Sequence, residues 1–104
     1  MHDQRIDNFI ANIAFEDISN LENNEIKVIL KELEFPTIAL ALKGTTNDFQ
    51  EKIFSNLSKR DESMVKEDME FFDSVKKQDI DNAQKEILQK LYILIKNGNI
   101  NMKK

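Results

Sequence analysis

Residues 80–98 read IDNAQKEILQKLYILIKNG, and the spacing of their apolar side chains decides the fold. The apolar positions recur at intervals of three or four residues, which is the period of an α-helix with one face against a core. They are Ile80, Ala83, Ile87, Leu91, Leu94 and Ile95. Gly98 follows them, and glycine commonly stands just past the C-terminus of a helix. We therefore predict a long amphipathic helix that ends at Gly98.

The same helical spacing continues towards the start of the chain. Two stripes of apolar residues have it: Ile6, Phe9, Ile10 and Ile13, and then Ile26, Ile29, Leu30 and Leu33. Two capping boxes, Thr45-x-x-Asp48 and Ser58-x-x-Asp61, each predict the first turn of another helix. Helices therefore account for most of the chain.

Pro36 is the only proline, and it bounds a short third helix in this interpretation. The residue before a proline avoids the α region, so the second helix is predicted to stop near Phe35. Thr37 is then the predicted N-cap of the third helix, and Gly44 its end. Residues 75–78 are predicted to connect the last two helices.

The composition favours a single all-helical domain over residues 1–104. A chain of 104 residues can bury roughly two thirds of its unfolded surface, which is enough for one core. Two glycines and one proline are too few for a turn-rich β-sandwich. We predict an all-α, compact bundle of about six short helices, with a leading helix within residues 1–14 and a frayed tail over residues 99–104.

The charge and the absence of cysteine exclude several classes of protein. Nineteen acidic and 15 basic residues give a net charge of −4, which disfavours uniform binding to nucleic acid. Without cysteine there is no disulfide framework and no thiolate metal site. The first five residues lack the basic-then-apolar plan expected of a signal peptide, and no apolar run is long enough to span a bilayer. We expect a soluble, intracellular protein.

The residues that most enzymes need are scarce in this sequence. His2 is the only histidine, so no Ser-His-Asp or Cys-His constellation can be assigned, and no glycine-rich phosphate loop occurs. Glu67, Asp68 and Glu70 are close in sequence, but they fan around a helix and do not converge on a metal ion. We predict no catalytic residue, no metal site and no cofactor, and binding to other proteins as the function.

Five segments resemble, in the same order, the C-terminal domain of the flagellar motor switch protein FliG. They are FEDI at residues 15–18, ALALKG at 39–44, EKIFSNLSKR at 51–60, KEDME at 66–70 and AQKEI at 83–87. The resemblance extends from Phe15 to about Ile100. It implies an armadillo-like helical domain without enzymatic activity at the cytoplasmic face of the inner membrane, in the flagellar basal body. The implied partners are the cytoplasmic loop of the stator protein MotA, neighbouring FliG domains and the switch protein FliM.

The resemblance also assigns charges that would face the stator during torque generation. Lys43 matches the lysine of the Ala-Leu-Lys-Gly segment, and Arg60 matches the arginine after Ser-Lys. Glu67 and Asp68 match an acidic pair. Lys76 stands where the family has the arginine of Gly-Pro-Val-Arg. All five positions keep the sign of the family's charge.

Other segments depart from the family pattern. Asp73 and Ser74 replace the Gly-Pro before Val-Arg, so the connector is predicted to be less rigid. The Met-Phe-x-Phe hinge of the family is replaced here by Asn12, Ile13, Ala14 and Phe15. The family's anchoring domains are expected to be missing. Two interpretations stay open: an excised torque-bearing domain, or a divergent paralogue that modulates motor assembly or position.

A helical wheel places Arg60 and Glu67 about 20° apart, at the border of the wet face. Asp68 falls on the apolar side, where an unpaired carboxylate is costly. One hypothesis is that Lys43 or Lys76 approaches Asp68; the alternative is that Asp68 reaches water.

Two further questions stay open at this point. Val28 and Ile93 lie off the main apolar faces of their helices, which fits either a shallow core contact or docking to another armadillo unit. An unrelated enzyme with a carboxylate site is the remaining alternative, and a deep carboxylate-lined pocket would support it.

Overall fold

The structure is a computed structural model that describes residues 4–101. It contains six α-helices and one 3-10 helix, and no strand occurs within these residues. The α-helices are α1 (Gln4–Ala11), α2 (Asn23–Lys31), α3 (Phe35–Leu42), α4 (Asn47–Phe54), α5 (Lys59–Phe71) and α6 (Lys77–Lys96), and the 3-10 helix is Phe15–Asn20. The all-α prediction is confirmed. His2 and the tail after Asn101 lie outside the described residues.

Helix α3 is the centre of the bundle, and it packs against both α5 and α6. Its sequence FPTIALAL is almost wholly apolar, and four of its side chains are buried: Ile38, Ala39, Ala41 and Leu42. Such a helix needs neighbours on more than one side, because a helix that is apolar all round must be buried. The core continues through buried residues of α2, α4 and α6.

The long helix α6 forms as its apolar period predicts. It buries Ala83, Ile87, Leu88, Leu91 and Leu94. Its C-cap is Asn97, and Gly98 follows with φ of +82°, a left-handed conformation that glycine adopts without a Cβ clash. Within residues 4–101, no helix is long and apolar enough to cross a membrane.

The predicted position of Pro36, between the second and third helices, is wrong. Helix α2 already ends at Lys31, and α3 begins at Phe35 with Glu34 as its N-cap. Pro36 lies in the first turn of α3, where its missing N–H has no intrahelical acceptor in any case. Thr37 is therefore inside the helix and is not its cap.

The two predicted capping boxes differ in outcome. The Ser58 hydroxyl accepts the N–H of Asp61 at 3.1 Å, so the start of α5 is confirmed. At α4 the cap is Thr46, whose hydroxyl accepts the N–H of Phe49, and the predicted cap Thr45 is one residue too early. The Thr45 hydroxyl instead donates to the carbonyl of Leu42 at 2.6 Å, which closes the end of α3.

The sequence predicts a frayed tail from Asn99, but residues 99–101 are held in place. The amide groups of Asn99 and Ile100 donate to the carbonyl of Leu94, and the amide of Asn101 donates to the Glu25 carboxylate at 3.0 Å. Ile100 is only 1% exposed. The tail therefore belongs to the fold at least as far as Asn101.

Candidate functional site

Helix α5 carries three of the five charges that the resemblance assigns to the stator-facing surface. Val65 is its only buried residue. The other side chains of α5 are half-buried or exposed, because the sequence of this helix is mostly charged. Helix α5 consequently lies on the outside of the bundle and is anchored along one narrow face.

Arg60 and Glu67 are both exposed on α5. Seven residues separate them, which places them about 20° apart around the helix and about 10 Å apart along it. Within residues 4–101, neither side chain forms an ion pair. They form an open stripe of one positive and one negative charge.

Lys66 lies beside this stripe but is already engaged. Its Nζ is 2.8 Å from the carboxylate of Glu62 and 5.0 Å from the centre of the Phe54 ring. The hydrogen bond that Lys66 donates to the Glu62 carboxylate raises the pKa of Lys66, because it favours the charged ammonium. Lys66 is therefore less available to a partner than Arg60.

Asp68 is half-buried and lines a shallow groove with the apolar residues Leu33, Phe35, Pro36 and Met64. The part of the chain that the structure describes provides no ion pair or hydrogen bond for its carboxylate. Neither Lys43 nor Lys76 forms an ion pair with Asp68. The Lys43 ammonium bonds the neighbouring Met69 carbonyl instead, so the hypothesis of a paired Asp68 is wrong. The groove is open, so water can hydrate the carboxylate.

Lys43 is half-buried and points towards α5, at the level of its last turn. It is the C-cap residue of α3, and its Nζ donates to the backbone carbonyl of Met69 at 3.1 Å. Its ammonium group is therefore used inside the fold, unlike the guanidinium of Arg60.

Lys76 is exposed at the N-cap of α6. Its backbone N–H faces the carboxylate of Asp79, and no described residue pairs with its side chain. The segment between α5 and α6 covers residues 72–76, and Asp73 and Ser74 in it are both exposed. Of the five predicted charges, Arg60, Glu67 and Lys76 are the open ones.

The predicted hinge covers the link from α1 to the 3-10 helix. Asn12 and Ala14 are exposed, and Ile13 packs partly against the core. Phe15 is buried, and its ring contacts that of Phe49 at a centroid distance of 5.3 Å. Asn12, Ile13 and Ala14 of the predicted hinge thus lie outside regular secondary structure, whereas Phe15 is fixed in the core.

Helix α1 is attached to the bundle through aromatic contact and has no buried residue. The rings of Phe9 and Tyr92 lie 5.4 Å apart, which places α1 on α6. Val28 packs partly against the core, as the shallow-contact interpretation requires, whereas Ile93 is 44% exposed.

A small apolar cavity of about 20 Å³ lies in the core. Its walls are core side chains such as Ile18, Ile29 and Ile53, and no carboxylate lines it. Within the described residues, no group of three acidic or histidine side chains is arranged to hold a metal ion. This cavity is therefore not the carboxylate-lined pocket that the enzyme alternative requires.

Three features of this surface were not predicted from the sequence. Gln50 donates to the Leu42 carbonyl at 2.9 Å, and Gln84 donates to the Ala41 carbonyl at 3.0 Å. Phe71 is 83% exposed, although Phe72 beside it is half-buried. Helical periodicity assigns residues to faces, but it does not say which long polar side chain reaches a neighbouring helix terminus.

Comparison with known proteins identifies the family. The model of the FliG C-terminal domain matches residues 10–102. This chain belongs to the FliG C-terminal domain family. The flagellar motor switch protein FliG of Thermotoga maritima is 37% identical over 87 residues, which cover 84% of this chain and 26% of that protein. FliG of Borreliella burgdorferi is 41% identical over 87 residues, with 84% and 25% covered.

Solved FliG structures have the same fold. A crystal structure of residues 116–343 of H. pylori FliG superposes with a TM-score of 0.84 at 35% identity, and covers 88% of this chain and 40% of that one. Full-length FliG from Aquifex aeolicus gives a TM-score of 0.79 at 37% identity, with 86% and 28% covered. The family prediction is confirmed.

The curated relatives that this chain matches are named flagellar motor switch protein FliG. The chain spans about a quarter of the length of the curated relatives it matches. The family therefore identifies the domain, whereas the partners of the chain are proposed below from the residues on its surface.

Proposed function

We propose that this chain is a rotor surface of a flagellar motor and contacts the cytoplasmic loop of a stator protein of the MotA type through α5. The carrying observation is the open stripe of Arg60 and Glu67 in a FliG C-terminal domain. Asp68 lies beside this stripe and Lys76 follows it at the start of α6. Lys43 holds the last turn of α5 from α3, and Asn12 to Phe15 are proposed as the hinge that precedes the domain.

The chemistry of the stripe suits a contact that forms and breaks repeatedly. An exposed ion pair contributes only about 0–1 kcal/mol, because water and salt screen it. Several such charges still steer an oppositely charged partner through their summed field. A rotor that steps past a stator requires weak contacts of this kind, since a tight one would stall it.

The remaining expected partners are neighbouring FliG domains and the switch protein FliM, in the basal body at the cytoplasmic face of the inner membrane. We propose that a neighbouring FliG domain contacts the exposed side of α6 that carries Ile93. The family resemblance supports this assignment, and Ile93 supplies an apolar contact that the core does not use.

A second candidate is a divergent paralogue that modulates motor assembly or position without bearing torque. Asp73 and Ser74 in the connector favour it, because they replace the stiff Gly-Pro of the family. A connector without proline fixes the orientation of Lys76 less tightly.

A chimaera separates the two candidates. The C-terminal domain of a native FliG is replaced by this chain, and swimming is scored in soft agar together with flagellar number by microscopy. Swimming cells support the rotor surface, and flagella that assemble but do not turn support the paralogue. The test variant reverses Arg60 and Asp68 (Arg60→Glu, Asp68→Lys). Its control reverses the exposed Glu32 and Lys85, which lie outside α5 (Glu32→Lys, Lys85→Glu).

A further inference from the structure

Helix α5 ends without a cation of its own. Its last turn has no lysine, arginine or histidine, and it contains two carboxylates, Asp68 and Glu70. The last four carbonyls of an α-helix have no intrahelical donor, and the C-terminus carries a partial negative charge. Acidic residues at that end add to the negative potential. The carbonyls of this last turn therefore need donors from water or from side chains outside α5.

One such donor is Lys43. The carbonyl of Asp68 accepts the N–H of Phe72, whereas the carbonyl of Met69 accepts the Lys43 Nζ at 3.1 Å. The Lys43 side chain is half-buried, so this hydrogen bond is better shielded from water than the exposed ion pair of Lys77 and Asp81. A hydrogen bond from a charged donor is also stronger than a neutral one.

The backbone that carries Lys43 is itself fixed from two other helices. Gln84 of α6 donates to the Ala41 carbonyl, and Gln50 of α4 donates to the Leu42 carbonyl. Both carbonyls belong to the last turn of α3, directly before Lys43. Gly44 follows, and it lies so close to α6 that an added Cβ would be 2.8 Å from Ile80 Cγ2. These contacts hold the end of α3 in place, and the Lys43 ammonium group is thereby directed towards α5.

We infer that Lys43 is a positioning residue: it caps the C-terminus of α5 from α3 and thereby sets the direction in which Glu67 and Asp68 face. Lys43 then acts on a partner through α5, and its own charge does not meet the stator. The consequence for partner contact rests on the proposed function, whereas the cap is a property of the isolated chain.

Solution NMR of the 104-residue chain tests the cap. Lys43→Met removes the ammonium and keeps most of the stem, and Lys85→Met, on the exposed face of α6, is the matched control. We expect the Met69 carbonyl carbon to shift only in Lys43→Met. The Phe72 amide, which closes the last turn, should exchange about threefold to tenfold faster there, because a charge-assisted hydrogen bond is lost. The Val65 amide in the middle of α5 should keep its rate.

Lys43→Arg is the rescue variant, since it restores a cation and hydrogen-bond donors on a long stem. We expect the exchange rate of the Phe72 amide to return towards that of the unaltered chain. In the unaltered chain, the Lys43 amine should also react about tenfold more slowly with an acylating reagent than the exposed Lys76 amine, because its ammonium is hydrogen-bonded and half-buried.

Three results would overturn the inference. They are a Met69 carbonyl shift that is the same in Lys43→Met and in the control, an exchange rate that rises equally at Val65 and Phe72, and an arginine variant that exchanges like the methionine variant. None of these measurements involves a stator. A failed cap therefore leaves the proposed function standing, and a chimaera that swims normally after reversal of Arg60 and Asp68 removes the proposed function and leaves the cap.

Discussion

The side-chain amide of Gln84 donates to the backbone carbonyl of Ala41 at 3.0 Å, and this hydrogen bond joins the long helix α6 to the end of the central helix α3. The two helices approach closely there because residue 44 has no side chain. The same corner presents Lys43 to α5. The packing of α3 on α6 is thereby linked to the position of the charged helix.

Gly44→Ala tests this close approach. An added Cβ would lie 2.8 Å from Ile80 Cγ2 and 3.1 Å from Gln84 Nε2, so these side chains or the helix that carries them must shift. We expect a loss of roughly 1–3 kcal/mol in the free energy of unfolding, measured by urea denaturation. Gly44 does not have a positive φ, so an alanine in open space would instead stabilise by about 0.4–1 kcal/mol. A more stable variant would contradict the contact.

Val65 and Phe71 of α5 serve as a test position and its control, because one is buried and the other is exposed. Val65 is 0% exposed and anchors the helix, whereas Phe71 is 83% exposed. Val65→Ala should lower the free energy of unfolding by about 2 kcal/mol, because it removes buried methyl groups and leaves a cavity. Phe71→Ala should change it by less than about 0.5 kcal/mol. A large loss from Phe71→Ala in thermal or urea unfolding would mean that α5 faces the bundle differently.

Ile100→Ala tests whether the tail belongs to the core. Ile100 is 1% exposed, and its amide donates to the Leu94 carbonyl. We expect a destabilisation of about 2–4 kcal/mol, as for other large-to-small substitutions in a core. The exposed neighbour Asn99→Ala is the control and should be close to neutral. Equal stability of the two variants would indicate a tail that is frayed from Asn99 onwards.

Charge neutralisation tests whether the contact with the stator is shared among several charges of α5. Arg60→Gln and Glu67→Gln should each reduce swimming of the chimaera only slightly, because each exposed charge contributes about 0–1 kcal/mol to a contact. Reversal of two charges should abolish swimming, since repulsion replaces attraction at neighbouring positions. Complete loss of rotation from one neutralisation, in a variant that folds normally by circular dichroism, would contradict the distributed picture.

Much of this fold is predictable because its signals are local. The start of α5 follows from the Ser58 cap and the end of α6 from Gly98, and the apolar period fixes which face of α6 is buried. The start of α6 at Lys77 was not predicted, since residues 75–78 were assigned to the connector. The 3-10 helix was not predicted, because a six-residue element stabilised by Phe15 and Ile18 in the core is too short for a periodic signal. Pro36 was misplaced because proline is compatible both with the end of one helix and with the first turn of the next.

The candidate site was predictable in its residues and less so in their directions. The exposure of Arg60 and Glu67 follows from the helical wheel, since both lie away from the buried side at Val65. The inward direction of Lys43 does not, because it depends on an unpaired carbonyl 26 residues further along the chain. Ile100 shows the same limit, since one apolar residue in a polar tail forms no pattern that predicts burial.

A compensating reversal measures the central claim most directly. The chimaera that carries Arg60→Glu and Asp68→Lys is combined with a stator whose cytoplasmic loop has its own charges reversed, and rotation of tethered cells is recorded. We predict that the reversed stator restores rotation to the reversed rotor and impairs the unaltered one, because attraction returns only when both surfaces change sign. A reversed stator that affects both rotors equally would show that the charges of α5 do not face the stator.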